Sequence, residues 1–163
     1  LSARVSTTYC RRHGCTLYFE GSSLDAGRPP AWSKIKAIRK HLGAHDWVMW
    51  MDCDSLFMNP EVGVTDLVEA ALDVASEPEE VHVILSQDGM MENSGVMVMR
   101  NHPWTAGLLD EVYDALGGVM VEHPWWEQAA LHHLLWDAEG GRRRRRHVQY
   151  VPQWWMNSYP EAL

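Results

Sequence analysis

The chain has 163 residues, the length of one domain. It carries 14 basic and 22 acidic residues, a formal net charge of −8, and five of the basics are the consecutive arginines 142–146. The body outside that run is strongly acidic, which argues against a general nucleic-acid binder, because phosphate contacts need a distributed basic face.

Residues 1–16 are polar and read as irregular, and 15–20 alternate enough for a short strand. Residues 21–30 form a loop by their Gly, Ser and Pro content. Residues 32–42 predict an amphipathic helix: Ile35, Ile38 and Leu42 share one face and Gly43 follows as a stop. The apolar run 47–51 predicts a strand buried on both faces, as in parallel sheets. A helix is expected over 65–75, with Asp66 and Glu69 in capping-box spacing. Strands follow at 81–86 and 95–100. The next helix covers 105–116, with Thr105 as N-cap and Gly117-Gly118 as its end. Pro124 opens another that lasts to about Trp136. Gly140, Gly141 and the arginine run read as a solvated loop, 147–151 as a last strand, and 152–163 as irregular. Strands alternating with helices predict an α/β class with a mostly parallel or mixed sheet.

No stretch approaches the roughly 20 apolar residues of a membrane-spanning helix, and no signal-peptide pattern leads the chain. The first residue is Leu1, which reads as a piece of something longer. Nine Trp stand beside two Phe, which fits either aromatic platforms for ligands such as sugars or a Trp-rich core. Cys10 and Cys15 are close enough for a small disulfide loop suited to an oxidising compartment. Three unpaired small hydrophobes is an equal reading, with Cys53 alone between two aspartates.

Asp52 and Asp54 follow the 47–51 strand. In extended chain, positions two apart point the same way, so both carboxylates are expected to converge at the carboxyl end of a core strand, where open α/β sheets bind ligands. Two like charges so close are relieved by a divalent cation. Oxygen-only ligands suit Mg²⁺ or Mn²⁺ together with phosphate oxygens. The matching chemistry is transfer of a group away from a nucleoside diphosphate, whose developing charge the metal neutralises. The alternative is a solvated acidic turn.

Several segments together resemble glycosyltransferase family 34, which holds fungal α-galactosyl- and mannosyltransferases and plant xyloglucan xylosyltransferases. In order they are Tyr9-x-x-x-His13-Gly14, Trp32-Ser-Lys-Ile, the run from Trp47 through Asp52-Cys-Asp54 to Pro60, Asn93-Ser-Gly-Val-Met-Val-Met-Arg-Asn101 with Trp104, Trp126-Glu-Gln-Ala-Ala-Leu131, and Val151-Pro-Gln with Asn157-Ser-Tyr-Pro160. The resemblance covers nearly the whole chain. It implies a GT-A fold, a Rossmann-like domain for a nucleotide-diphospho-sugar, and a metal-dependent, retaining enzyme of the Golgi lumen anchored as a type II membrane protein by a segment outside this chain.

Residue by residue, the resemblance implies that Asp52 and Asp54 bind the metal and the diphosphate, with Cys53 a departure at the middle position. Lys34 would face the donor phosphates or sugar; a solvated helix lysine is the equal alternative. Asn93, Ser94 and Gly95 would form a loop at the donor sugar, Gly95 letting the backbone approach. Glu127 and Gln128 would sit at the anomeric carbon. Gln128 is a poor nucleophile, so attack from the face of departure is expected, with Glu127 stabilising the oxocarbenium-like charge; an acidic residue offsetting the helix dipole is the alternative. Trp125 and Trp126 would wall the sugar or pack in the core. The expected donor is UDP-galactose, UDP-xylose or GDP-mannose, the acceptor a glycan hydroxyl, and the metal Mn²⁺ or Mg²⁺. The rivals are a non-catalytic glycan-binding or scaffold subunit and a GT-A enzyme or nucleotidyltransferase of another family.

Enzymes of this kind complete the metal site with a C-terminal histidine. His147, the last histidine, precedes the Asn157 landmark and is in the wrong order for that role. Residues 1–163 are therefore expected to be a partial catalytic domain, lacking this segment and the first nucleotide-binding strand, with weak metal and nucleotide binding by itself.

Overall fold

The computed structural model describes residues 2–21 and 23–157. Seven helices and four strands follow in the order α1 (Ser2–His13), α2 (Ser33–Leu42), β1 (Trp47–Met51), α3 (Val64–Asp73), β2 (Val83–Ser86), β3 (Val96–Arg100), α4 (Pro103–Asp114), α5 (Trp126–Trp136), α6 (Gly141–Arg145), β4 (Val148–Val151) and α7 (Gln153–Met156). The class is α/β, as expected.

The strands form one mixed sheet in the order β1-β3-β2-β4. β3 runs antiparallel to both β1 and β2, whereas β2 and β4 are parallel. Both faces are covered, which explains why β1 to β3 read as continuous apolar runs rather than alternating ones. On one face Val83, Leu85, Met97 and Met99 join Ile35 and Ile38 of α2, Leu108 and Val112 of α4 and Leu131 and Leu135 of α5. On the other, Ile84, Val98 and Val151 meet Val68 and Ala71 of α3, with Trp47, Met49 and Trp155 packed alongside.

The structure corrects several expectations. β1 is an edge strand, only partly buried along its length and paired antiparallel; its apolar run reflects two covered faces, not a place inside a parallel sheet. Residues 2–13 are helical rather than irregular, and 15–20 form no strand. α1 depends on tertiary contacts that composition does not encode. Tyr9 is 4% exposed, stacks on Phe57 and donates to Val62 O at 2.8 Å. The Cys10–Cys15 disulfide closes the turn that follows.

The caps differ as well. Asp66 of α3 accepts from the backbone N–H of Gly63, so the box begins three residues earlier than expected. α4 starts at Pro103, capped by His102, while Thr105 lies buried inside it. The arginine run is largely the helix α6, not a free loop. Arg144 pairs with Glu111 at 2.6 Å and Arg145 lies over the Trp136 ring. The landmark residues Ser158, Tyr159 and Pro160 lie outside the described residues.

Gly141, at the start of α6, packs directly on the end of α5: a Cβ there would stand 2.6 Å from Leu135 O. Gly141→Ala must push two backbones apart, at a cost of about 1–3 kcal/mol. Urea unfolding is expected to show a lower midpoint; an unchanged midpoint would mean that the α5–α6 turn can shift freely.

Candidate active site

β1, β2 and β4 end, and β3 begins, at the same edge of the sheet: Met51 pairs with Val96, and Ser86 with Val151. The sequence-predicted residues gather here. Lys34 comes from the first turn of α2, Asp52 from the end of β1, Ser94 and Gly95 from the loop before β3, and Glu127 and Gln128 from the first turn of α5.

Lys34 is 6% exposed, so it is not a solvated helix lysine. Its Nζ lies 3.1 Å from Asp52 Oδ1 and 2.9 Å from Glu127 Oε1. It also donates to Ser94 O at 3.3 Å. Glu127 is 3% exposed and lies in the first turn of α5, where it is also placed to offset the helix dipole. Ser94 Oγ donates to Glu127 Oε1 at 2.9 Å, and Gln128 Oε1 accepts from Ser94 N at 3.1 Å. The other Glu127 oxygen, Oε2, is buried with no hydrogen-bond partner among the described residues. Beneath it lies a cavity of about 10 Å³, lined by Ile35, Ser94, Met97, Leu131 and Glu127 among others, with space for one water at most.

Asp52 and Asp54 do not lie on an extended strand. Ser55 N donates to Asp52 O at 3.0 Å, so a turn begins at Asp52 itself. The two-apart alternation therefore does not apply to this pair. Asp52 faces inward to Lys34 and also accepts from Trp50 Nε1 at 2.7 Å; Asp54 is exposed on the turn, as is Cys53. Gly95 has the close approach expected of it: its carbonyl accepts from Asp52 N at 2.8 Å, and a Cβ would come within 3.0 Å of Asn93 Oδ1. That Asn93 oxygen accepts from Gly95 N at 2.9 Å. Trp125 and Trp126 are 45% and 42% exposed, and Trp126 adopts a left-handed φ of 42°. A bulky residue rarely holds that conformation without cost.

Two participants escape sequence reading. Trp50, expected to be core, is also a donor to Asp52. Glu92, fully buried, receives Gln87 Nε2 at 3.0 Å, Tyr150 Oη at 2.7 Å and Trp136 Nε1 at 2.5 Å, and contacts His132 Nδ1 at 2.7 Å. Burial by itself pushes a carboxyl pKa up, but the bonds from Trp136, His132 and Tyr150 outweigh it and hold Glu92 below its ordinary range. Burial, then the bond to Glu92, pushes the Tyr150 hydroxyl far up. Glu92 thus fastens the loop that presents Asn93, Ser94 and Gly95. Only its place beside Asn93 could have pointed to it.

The fold is shared with a solved structure. A crystal structure of a glycosyltransferase involved in glycosylation of the major capsid of PBCV-1 superposes with a TM-score of 0.67, covering 94% of this chain and 76% of that one at 15% identity. The galactosyl transferase GMA12/MNN10 family profile matches residues 3–74 and 69–163, and the chain belongs to that family, glycosyltransferase family 34. Relatives include Probable glycosyltransferase 6 of Oryza sativa, 30% identical over 78% of this chain and 26% of its own length. Xyloglucan 6-xylosyltransferase 4 of Arabidopsis thaliana is 29% identical over 63% and 20%. An uncharacterized alpha-1,2-galactosyltransferase of Schizosaccharomyces pombe is 28% identical over 79% and 43%. The chain thus spans about a quarter of the length of the first of these relatives.

Removing Lys34 strands a buried Glu127. Lys34→Met is expected to cost about 3–5 kcal/mol, and Lys34→Met with Glu127→Gln to recover most of it; chemical denaturation of the two variants checks this. The lowered native pKa of Glu92 gives a contribution present above its ordinary value of 4.5 and lost as pH falls below it. Thermal scans from pH 7 to pH 3 are expected to fall less steeply for Glu92→Gln than for the parent. Parallel slopes would remove Glu92 from the acid response.

Proposed function

We propose that the chain carries the donor-handling core of a metal-dependent, retaining glycosyltransferase. It moves a hexosyl or pentosyl group from a nucleotide-diphospho-sugar to a glycan hydroxyl and forms an α-linkage. The observation that carries this reading is the convergence on Lys34 Nζ of Asp52 and Glu127, drawn from segments far apart in sequence, at the strand ends where open α/β sheets take ligands.

The charges favour a cation. Asp52, Asp54 and Glu127 set three carboxylates against the single Lys34 ammonium, and a diphosphate brought there adds more negative charge. Carboxylate oxygens on Asp52 and on the exposed Asp54 are hard ligands that fit Mn²⁺ or Mg²⁺. The ion, when bound, neutralises the charge that develops on the leaving diphosphate.

The protein's own groups do the rest. Lys34 holds the Asp52 and Glu127 carboxyl groups side by side. Glu127 sets a fixed negative charge beneath the site, which stabilises an oxocarbenium-like centre. Its free oxygen is sealed from solvent, and the Gln128 carbonyl is committed to Ser94. Neither is placed for covalent attack, which favours acceptor entry from the face the diphosphate leaves. Ser94 and Gly95 shape the sugar floor, and the exposed rings of Trp125 and Trp126 offer apolar walls. The names of the relatives support galactose and xylose as candidate sugars, so UDP-galactose, UDP-xylose and GDP-mannose are the donors to try. The Cys10–Cys15 disulfide favours an oxidising lumen such as the Golgi. No helix among the described residues is long and apolar enough to cross a membrane, and a type II anchor would lie outside this chain.

Asp52→Asn and Asp54→Asn, placed in the protein and assayed with Mn²⁺ and each donor, are expected to lower transfer about 100-fold or more, the scale of losing one charge-stabilising group. Metal-dependent transfer retained in both variants would sink the metal assignment. The anomeric configuration of the product, read by NMR, tests retention; a β-linked product would overturn it.

A further inference from the structure

The opposite end of the sheet holds a second cluster with different chemistry. His82 precedes β2, His147 precedes β4, and Glu80 lies in the turn before His82. The parallel pairing of β2 with β4 brings them together: His82 N and Val83 N both donate to His147 O, at 2.9 and 3.0 Å. One potential ligand atom from each of Glu80, His82 and His147 lies within 4.8 Å of the others. Arg100 N donates to His82 O at 2.8 Å. Five residues of β3 separate that point from Gly95 and the Asp52 turn, about 16 Å at the rise of a strand.

His82 is 5% exposed, and its Nδ1 is buried with no hydrogen-bond partner among the described residues. The ring is clamped between His102, with centroids 3.9 Å apart, and His147, at 4.9 Å. His102 uses its own Nδ1 to cap α4, accepting from Trp104 N at 3.2 Å, so it acts as a wall. Trp104 closes another side, 4.7 Å from the His147 ring. Between these walls, no hydrogen-bond partner among the described residues meets His82 Nδ1. His147 Nδ1 is 3.0 Å from Glu80 O, a carbonyl that can only accept, and 3.3 Å from Glu80 Oε2. The nearby cation, Arg100, is turned away, donating to Glu79 O and lying over the Trp47 ring.

We infer that Glu80, His82 and His147 form a binding site for a transition-metal dication of the Zn²⁺ class, separate from the Asp52–Asp54 end, which fastens the starts of β2 and β4 together. Two imidazole nitrogens and one carboxylate oxygen are the donor set that this class prefers, whereas Mg²⁺ and Mn²⁺ favour oxygen. In a tetrahedral site with bonds of about 2.0–2.1 Å, ligand atoms stand roughly 3.4 Å apart. The exposed Glu80 side chain is free to close the remaining distance. Glu80 is exposed, so the cluster opens to solvent on its side. The ion would take up the lone pair of His82 and link segments that are 67 positions apart along the chain.

The test uses the full chain freed of any histidine tag and stripped with chelator. Titration with Co²⁺ is expected to give the d–d absorption of a tetrahedral ion at one equivalent, displaced by Zn²⁺. His147→Ala and Glu80→Gln should each weaken Zn²⁺ binding about tenfold or more. Asp52→Asn and Asp54→Asn should leave it unchanged. Zn²⁺ should raise the melting temperature of the parent and not of His147→Ala. Glu80 is exposed, so Glu80→Gln decides the matter even where His147→Ala fails to fold. Absence of the Co²⁺ spectrum, binding unaltered in Glu80→Gln, or loss of the site in Asp52→Asn would each overturn the proposal.

Discussion

One buried ammonium organises the end of the sheet where the candidate site lies. Lys34 is shielded from water and bonded to Asp52, Glu127 and the Ser94 carbonyl. Without it, two carboxylates from different elements would have to be desolvated side by side, at several kcal/mol each. With it, α2, the end of β1, the loop before β3 and the start of α5 must meet at one point. The position of every other candidate residue follows from this. Ser94 can bridge Glu127 and Gln128 only because α5 is drawn in over the loop. Gly95 is required because Asn93 and the Asp52 turn then crowd its α-carbon.

The loop presenting Ser94 is held from its other side by a second buried carboxylate, solved in another way. Among the described residues no lysine or arginine pairs with Glu92; indole, phenol, amide and imidazole groups satisfy its oxygens. Glu127 takes the ammonium, and its own field is thereby only partly cancelled. Both arrangements are fixed by the fold itself, which is the preorganisation that the proposed function requires. The left-handed backbone at Trp126 belongs to the same end, where strain tends to be stored.

The parts legible in the sequence were those whose signal is local. The apolar runs of β1 to β3 announce covered faces, and Ile35, Ile38 and Leu42 announce the buried side of α2. α1 was illegible because its residues are polar and its anchors, Phe57 and Val62, lie some fifty positions away. The Asp52–Asp54 spacing located the site but misjudged its geometry, since nothing in D-x-D shows whether the strand has already ended. Lys34 stood on the sequence as an ordinary helix lysine; only the resemblance to a family pointed inward. Glu92 and Trp50 gave no signal, because a buried carboxylate looks like any surface acid until its donors are assembled. The arginine run misled in the other direction: it looks uniform, yet Arg144 and Arg145 have structural partners while Arg142 and Arg143 are exposed.

The two ends of the sheet differ in chemistry. At the end where β1, β2 and β4 finish, carboxylates gather around an ammonium. At the other end, imidazoles stack on one another and beside an indole. In the proposed reading the first is an oxygen-rich site for Mn²⁺ or Mg²⁺ and the second a nitrogen-rich site for a transition ion. A transition ion binds nitrogen donors more tightly than Mn²⁺ does at any site they share. Holding such an ion at a distant nitrogen site would therefore keep it from the oxygen site rather than compete there. The separation follows directly from topology. Parallel pairing of β2 and β4 places both histidines at strand starts, and the same pairing sends both strand ends toward Lys34.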